Sequence, residues 1–273
     1  MSAAETVNPL TEKPVDRRGF VKGMGLAGLG VAGATLLGGS TQKAFAAGAI
    51  TDVDVLNFAL NLEYLEAEFY SVAMTGKTLT QLGMLPESAT SGPTRGGHKV
   101  KIFDSDGDND TDVQAILTNI TRDEQEHVAF LRKALGSAAI KKPTINLDAL
   151  GIGFNEDRDF LILARAFEDT GVSAYGGALP LIQNKTYLEA AGRIALVEAY
   201  HAGCIRLRIS QTGFKVPQTD KQDIPPSYAH LFTEVGGLAV VRSPAQVLDI
   251  VYNKGQSRGG FFPDGVNGKI HIS

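Results

Sequence analysis

Four long segments of the chain place apolar residues at steps of three and four, which is the period of a helix with one buried face. Thr51 or Asp52 can cap the first segment, and Gly76 and Gly136 follow the first two segments as stop signals. The pattern therefore predicts four helices, over Asp52–Thr75, Thr111–Leu135, Asn155–Ala174 and Thr186–Ser210.

The segments between these helices differ in length. The connection from 76 to 110 is long and rich in glycine, and its length suits a crossing over one end of a bundle better than a tight hairpin. Gly176, Gly177 and Pro180 are expected to break or kink the end of the third helix. Beyond Gln211 the chain is rich in proline and glycine, with one short predicted helix over Pro244–Asn253, and we expect this tail to pack across the bundle.

Acidic and histidine residues interrupt each apolar stripe. The first and third stripes each contain a single glutamate, and the second and fourth each contain Glu-x-x-His. Residues three apart lie on one face of a helix, so each Glu-x-x-His pair presents a carboxylate and an imidazole together. The candidate site residues are Glu63, Glu124, His127, Glu168, Glu198 and His201. By contrast, Glu66, Glu68 and Glu126 are expected to be solvated surface charges.

The inward register of these six residues indicates a metal site. Buried carboxylates without cations are costly, so such a core either binds metal or holds several of the acids protonated. Carboxylate oxygens and imidazole nitrogens suit two iron or manganese ions. We expect Glu124 and Glu198 to bridge the ions, Glu63 and Glu168 to be terminal or bridging ligands, and His127 and His201 to supply nitrogens.

The chain resembles the ferritin-like superfamily, and within it the proteins that include desiccation-related proteins of plants and bacteria. The resemblance is carried by the ligand order, by Tyr70 seven residues after Glu63, and by the tail segments Ser243–Tyr252 and Gly259–Gly265. It implies an all-α fold, a ferritin-like four-helix bundle over residues 47–212, with a long crossover connection and a C-terminal extension over 213–273. Tyr70 could hydrogen-bond a ligand carboxylate, although packing is the favoured role.

The N-terminus predicts export. Arg17 and Arg18 precede a moderately apolar, glycine-rich stretch, and Ala46 ends a small-residue cleavage site. This pattern predicts a twin-arginine signal peptide over residues 1–46 and a mature protein in the periplasm or outside the cell. An uncleaved membrane anchor is the alternative, although the stretch is short and glycine-rich for a membrane span.

Composition and charge limit the functions that the mature chain can have. Of the 26 basic and 30 acidic residues, five and three lie in the leader, which leaves 21 basic and 27 acidic residues and a formal charge of −6 after cleavage. With no basic patch, nucleic-acid binding is not expected. Cys204 is the single cysteine, so no intramolecular disulfide can form, and we expect it to be a small buried apolar residue.

The segment Asp104–Asp112 alternates carboxylates in the manner of a calcium loop. Its register is imperfect, because Asn109 stands where an EF-hand has glycine and Ala115 where it has the bidentate glutamate. The alternative is an acidic loop that caps the second helix through Asp110 or Asp112.

Two functions remain open. The first is a redox enzyme whose paired ions react with oxygen or peroxide; manganese catalases resemble this chain in ligand order, so ligand type does not separate peroxide removal from iron oxidation. The second is a non-enzymatic stress or desiccation protein that keeps the bundle as a scaffold. In either case the tail argues for a monomer or homodimer instead of a cage.

Overall fold

The computed structural model describes residues 50–100 and 111–273. The predicted leader, residues 1–46, lies outside the described residues, and so do residues 104–110 of the predicted calcium loop. Both therefore stay predictions. Within the described ranges, no helix is both long enough and apolar enough to cross a membrane.

Helices form most of the described chain. They are α1 (Asp52–Thr75), α2 (Thr111–Leu135), α3 (Asp157–Ala178), α4 (Lys185–Thr212) and the short α5 (Pro244–Val251). Four two-residue strands accompany them: β1 (Thr94–Arg95), β2 (Ile145–Asn146), β3 (Glu234–Val235) and β4 (Leu238–Ala239), with β1 parallel to β2 and β3 antiparallel to β4. The fold is the predicted all-α bundle.

The ends of α1 show why the predicted bounds hold. Thr51 Oγ1 accepts a hydrogen bond from the Asp54 backbone N–H, and the Asp54 carboxylate accepts one from the Thr51 N–H, which completes a capping box. At the other end Gly76 adopts φ 73°, a left-handed conformation that glycine reaches without steric cost. Local chemistry therefore fixes both ends of the helix.

Side-chain contacts establish the helix directions. α1 and α2 are antiparallel, because residues early in α1 contact residues at or beyond the end of α2, and residues late in α1 contact the middle of α2. The pairs are Asn57 with Ala138, Tyr64 with Arg132, and Ser71 with Gln125. α1 and α3 are antiparallel for the same reason, since Glu63 contacts Tyr175 and Tyr70 contacts Glu168. Hence α2 and α3 are parallel, and α4 returns antiparallel to α3 after the short connection 179–184.

Two consecutive helices that run parallel need a connection that runs the length of the bundle, and residues 136–156 provide it. Near the start of α1, the Ile140 backbone N–H donates to Asn57 Oδ1. Near the end of α1, Phe154 packs on Phe69. The described part of the first connection, residues 76–100, instead starts from the end of α1, and its strand β1 pairs with β2. The lengthwise crossover is thus the second connection.

α1 is enclosed on all sides, with buried residues running without interruption from Val55 to Ala73. The expectation that Glu66 and Glu68 are surface charges is therefore wrong, because the connections and the tail cover the faces of α1 that the bundle leaves free. Glu126 on α2 is exposed, as expected.

Gly176 and Gly177 do not break α3, which continues through both to Ala178. Their role is close packing of the tail. A Cβ on Gly177 would lie 2.0 Å from the Arg242 carbonyl oxygen, and one on Gly176 would lie 2.7 Å from Val241. Arg242 donates its backbone N–H to the Ser173 carbonyl oxygen at 2.9 Å, so the glycines allow the tail to bond directly to the helix.

Buried ion pairs and aromatic contacts join the tail to the bundle. Arg165 of α3 pairs with Asp223 of the tail. Arg242 of the tail, whose guanidinium also holds both oxygens of Asp220 at 2.8 Å, donates from Nη1 to Ser173 Oγ of α3 at 2.8 Å. Phe261 packs edge-on against Phe167 with ring centroids 4.9 Å apart. The tail thus contributes to the same core as the helices.

Cys204 lies on the outer face of α4 and is exposed, so the prediction of a buried cysteine is wrong. Its neighbours His201 and Ile205 face the core, and the helical step from them turns residue 204 toward solvent.

Candidate metal centre

The bundle brings all six predicted site residues together at its centre. They form two groups of four in which potential ligand atoms all lie within 4.8 Å of one another. The members are Glu63, Glu124, His127 and Glu198 in the first group, and Glu124, Glu168, Glu198 and His201 in the second. Glu124 and Glu198 belong to both groups, so their carboxylates lie between two positions.

The first position centres on His127. Its Nδ1 lies 3.2 Å from Glu63 Oε2 and from Glu198 Oε1, and 3.5 Å from Glu124 Oε2. The three glutamates are fully buried, and His127 is 8 % exposed. One imidazole nitrogen therefore faces carboxylates from three different helices.

The second position centres on His201 and mirrors the first. Its Nδ1 lies 2.9 Å from Glu124 Oε1 and 3.3 Å from Glu168 Oε2. The two imidazole rings are 6.2 Å apart between centroids. The arrangement has an approximate twofold symmetry that exchanges α1 with α3 and α2 with α4.

These short contacts are ion pairs that lack the geometry of good hydrogen bonds. Eight buried nitrogen and oxygen atoms of the six residues have no hydrogen-bond partner among the described residues: Glu63 Oε2, both carboxylate oxygens of Glu124 and of Glu198, Glu168 Oε2, and Nδ1 of His127 and of His201. Buried polar atoms are normally satisfied. Atoms that converge without bonding one another are the arrangement that cations would satisfy, and hard oxygen with imidazole nitrogen suits iron or manganese.

Two tyrosines orient the outer carboxylates. Tyr70 donates its hydroxyl hydrogen to Glu168 Oε1 at 2.5 Å, and Tyr175 donates to Glu63 Oε1 at 2.5 Å. Each bond links α1 to α3 and leaves the other carboxylate oxygen facing the centre. Tyr70 is thus a hydrogen-bond donor, and the favoured packing role is wrong. The sequence placed Tyr175 in an apolar stripe only, although it follows Glu168 by the same seven residues.

Burial and mutual proximity shift the pKa values of these groups. Burial opposes protonation of His201, but the carboxylates of Glu168 and Glu124 outweigh it and raise its pKa to about 12. The pKa of His127 is likewise raised, by Glu63, Glu124 and Glu198. Burial raises the pKa of Glu168 to about 7, whereas both imidazoles hold the pKa of Glu124 at about 2. Burial and the neighbouring carboxylates raise the pKa of Glu198 well above its ordinary value.

Glu66 is a seventh residue and a fifth carboxylate at the centre. It is 4 % exposed, and burial together with the nearby charges of Glu198, Glu124 and other site carboxylates raises its pKa well above the usual range. Gly171 of α3 leaves room for it, because a Cβ there would lie 2.3 Å from Glu198 Oε2 and 3.2 Å from Glu66 Oε1. Sequence reasoning missed Glu66, although apolar residues on every face of α1 signal a fully enclosed helix.

The approximate twofold symmetry of the centre does not extend to the residues that lie behind the two histidines. His201 Nε2 lies 3.3 Å from Asp123 Oδ2, and a carboxylate in this place fixes the tautomer that turns Nδ1 toward the centre. Asp123 precedes Glu124, and the equivalent residue before Glu198 is Val197. His127 and Val197 instead line a cavity of about 510 Å³ between α2 and α4. The two positions therefore differ in their surroundings.

Fold and cluster together define a class, a four-helix bundle with a carboxylate and histidine cluster in its core. Within that class, the model of the ferritin-like domain family matches residues 51–211, and the chain belongs to this family. The predicted fold class and family are confirmed.

Two curated proteins are similar to this chain. A ferritin-like catalase of Nesocodon mauritianus is 24 % identical over 273 residues, which cover 80 % of this chain and 84 % of that protein. A desiccation-related protein of Craterostigma plantagineum is 25 % identical over 174 residues, which cover 57 % of this chain and 52 % of that protein. The similarity thus includes a protein named as an enzyme and one named for a stress response.

Proposed function

We propose that this protein binds two iron or manganese ions at the six-residue cluster and uses them to remove peroxide or to oxidise metal. The observation that carries the proposal is a set of eight buried ligand-type atoms, which converge in two overlapping groups and have no hydrogen-bond partner within the part of the chain that the structure describes. The similarity to a ferritin-like catalase supports the redox reading.

Each residue has a role in this proposal. Glu124 and Glu198 would bridge the ions, while Glu63 with His127 and Glu168 with His201 would complete the two positions. Bound ions of this kind supply the one-electron steps that peroxide or oxygen chemistry requires.

The rest of the chain prepares the site. Tyr70 and Tyr175 hold the outer carboxylates in place, and Asp123 holds the His201 ring. Val251 of the tail lies at a cavity of about 10 Å³ beside Glu66, so the tail covers this side of the centre and limits the entry of water. Such preorganisation lets a site hold its geometry without reorganising during the reaction.

The first experiment is elemental mass spectrometry of the purified mature protein. We expect about two iron or manganese ions per chain, since the cluster has two overlapping positions, and loss of both in Glu124→Ala/Glu198→Ala. Glu126→Gln, an exposed glutamate on α2, is the matched control and should keep them. A folded protein without metal after growth with both metals would overturn the proposal.

Turnover then decides between the chemistries. Oxygen evolution from hydrogen peroxide is expected for peroxide removal, and consumption of oxygen with Fe²⁺ is expected for metal oxidation. His201→Ala should abolish either activity while circular dichroism shows an intact bundle.

The second candidate is a non-enzymatic stress or desiccation scaffold, which is favoured by the similarity of the bundle to a desiccation-related protein. It predicts metal-dependent melting without turnover in both assays. Measurable turnover that is lost in Glu124→Ala would exclude it.

Export and assembly complete the proposal. The Arg17-Arg18 motif supports export by the twin-arginine route to the periplasm or the outside, as a protein with no stable membrane insertion after cleavage. Cell fractionation of Arg17→Lys/Arg18→Lys should find the precursor retained in the cytoplasm. Light scattering should find a monomer or homodimer, and an assembly of cage size would contradict this part.

A further inference from the structure

A second polar cavity lies outside the metal centre, between the end of α1 and the two long connections. Its volume is about 570 Å³, which is within the range of small-molecule sites. A buried ion pair stands in its wall: Glu68 of α1 is fully buried and Lys142 is 2 % exposed. Their charged atoms, Glu68 Oε1 and Lys142 Nζ, are 3.8 Å apart.

The hydrogen bonds around this pair are unevenly satisfied. Lys142 Nζ donates to Gly92 O and Thr94 Oγ1 at 3.0 Å and to Pro143 O at 3.2 Å, so all three of its hydrogens are used. Glu68 Oε2 accepts from the Leu79 N–H, and a hydrogen bond from the Thr94 side chain lowers the pKa of the Glu68 carboxyl. No hydrogen bond of standard geometry reaches Glu68 Oε1 among the described residues. The open group in the wall is therefore an acceptor.

The satisfied ammonium and the open carboxylate oxygen limit the charge that a ligand of this cavity can carry. An anion would meet the Glu68 carboxylate and find no free hydrogen on Lys142. A metal cation at Glu68 Oε1 would lie close to the Lys142 ammonium, which repels it. Burial also lowers the pKa of Lys142 and raises that of Glu68, so extra charge of either sign is unfavourable here.

The remaining lining both donates and accepts hydrogen bonds. It is rich in hydroxyl and amide groups, which come from Thr78, Thr80, Gln81, Thr90, Ser91 and Thr94. Thr80 is half-buried, Gln81 is exposed, and the exposed Glu87 adds an acceptor at the rim. Groups of this kind match vicinal hydroxyls, which donate and accept at once.

We propose that this cavity binds a small, neutral polyhydroxyl compound, a linear polyol or a monosaccharide, with one of its hydroxyls donating to Glu68 Oε1. The site is independent of the metal centre, so neither proposal depends on the other. It also gives the two long connections a role, because they supply most of the cavity wall.

The test is direct binding to the full mature chain, measured by calorimetry and by saturation-transfer NMR. Mannitol and glucose are the probes, since they separate linear from ring compounds, and gluconate and spermidine are the charged comparisons. Melting temperatures are unsuitable, because polyols stabilise most proteins by exclusion from their surface. We expect saturable binding of mannitol or glucose and none of the charged compounds.

Two variants keep the proposal falsifiable. Glu68→Gln should weaken binding about tenfold, because the hydrogen bond then goes to a neutral amide oxygen instead of a charged carboxylate. Thr80→Val, at the partly exposed rim, removes one hydroxyl without touching the ion pair and should also weaken binding. Thr186→Val makes the same change in the cavity beside His127 and should have no effect.

Three results would overturn the proposal. They are no binding of either polyol, binding that is unchanged in both Glu68→Gln and Thr80→Val, and preferential binding of gluconate or spermidine at this site.

Discussion

Replacing Asp123 by asparagine should weaken one proposed metal position and leave the other unchanged. In the structure Asp123 Oδ2 lies 3.3 Å from Nε2 of His201, whereas the equivalent place behind His127 belongs to Val197. Asparagine keeps the size of the side chain but removes the charge that favours an Nε2–H tautomer.

The expected magnitude follows from this geometry. Loss of a carboxylate that supports a metal-bound histidine typically costs about 10–100-fold in metal affinity. The Asp123 side chain is 28 % exposed and its contact with His201 is long, so the lower end applies. We therefore expect about a tenfold loss at the His201 position, or about 1.4 kcal/mol.

The assay is a Mn²⁺ titration against a competing chelator, in which two binding steps are resolved. Asp123→Asn should shift one step only. Val197→Asp, which places a carboxylate behind His127, should strengthen the other step, and the exposed Glu126→Gln should change neither. Equal weakening of both steps by Asp123→Asn, or the same effect from Glu126→Gln, would refute the reasoning.

Three further predictions concern the core around the cluster. Gly171→Ala should reduce metal occupancy, because its Cβ would fall 2.3 Å from Glu198 Oε2. Gly192→Ala on α4 is the control: its Cβ would meet nothing within 4 Å, so it should stabilise the protein by roughly 0.5–1 kcal/mol. Elemental analysis and thermal melting check both variants, and normal metal content in Gly171→Ala would contradict the first expectation. The metal-free protein should lose stability as pH rises from 4.5 to about 7, because the folded state holds a proton on Glu168 that the unfolded state releases; a melting temperature that rises over this window would contradict this. Tyr70→Phe removes a hydrogen bond that lowers the pKa of Glu168, so the same loss should extend to higher pH, and melting curves that overlay those of the unsubstituted protein would oppose it.

The six central residues could be predicted because their chemistry and their register agree. Glu124 with His127 and Glu198 with His201 share a helix face by spacing alone, and apolar neighbours at three and four residues point that face inward. The helix bounds follow similarly from local signals, such as the capping box at Thr51. Local sequence patterns were therefore sufficient to predict the inward-facing site residues and the helix ends.

The wrong predictions concern residues whose burial depends on contacts with distant parts of the chain. Glu66 and Glu68 are buried because the connections and the tail enclose α1, and no local pattern in α1 identifies the segments that cover it. Gly177 was expected to interrupt α3, yet its missing side chain admits the Arg242 carbonyl from 65 residues away in the chain. Long-range packing of this kind cannot be derived from helical period.

Charge balance explains how this core can exist with or without metal. Without metal, the raised pKa values of His127 and His201 favour two positive charges, and burial with the neighbouring carboxylates raises the pKa of Glu198, which favours its protonated form. Two divalent ions would supply the same compensation to four carboxylates while releasing those protons. Because protons and metal ions balance the same charges, the bundle can keep its fold when metal is removed. Metal removal therefore tests the chemistry of the centre without destroying the scaffold that holds it.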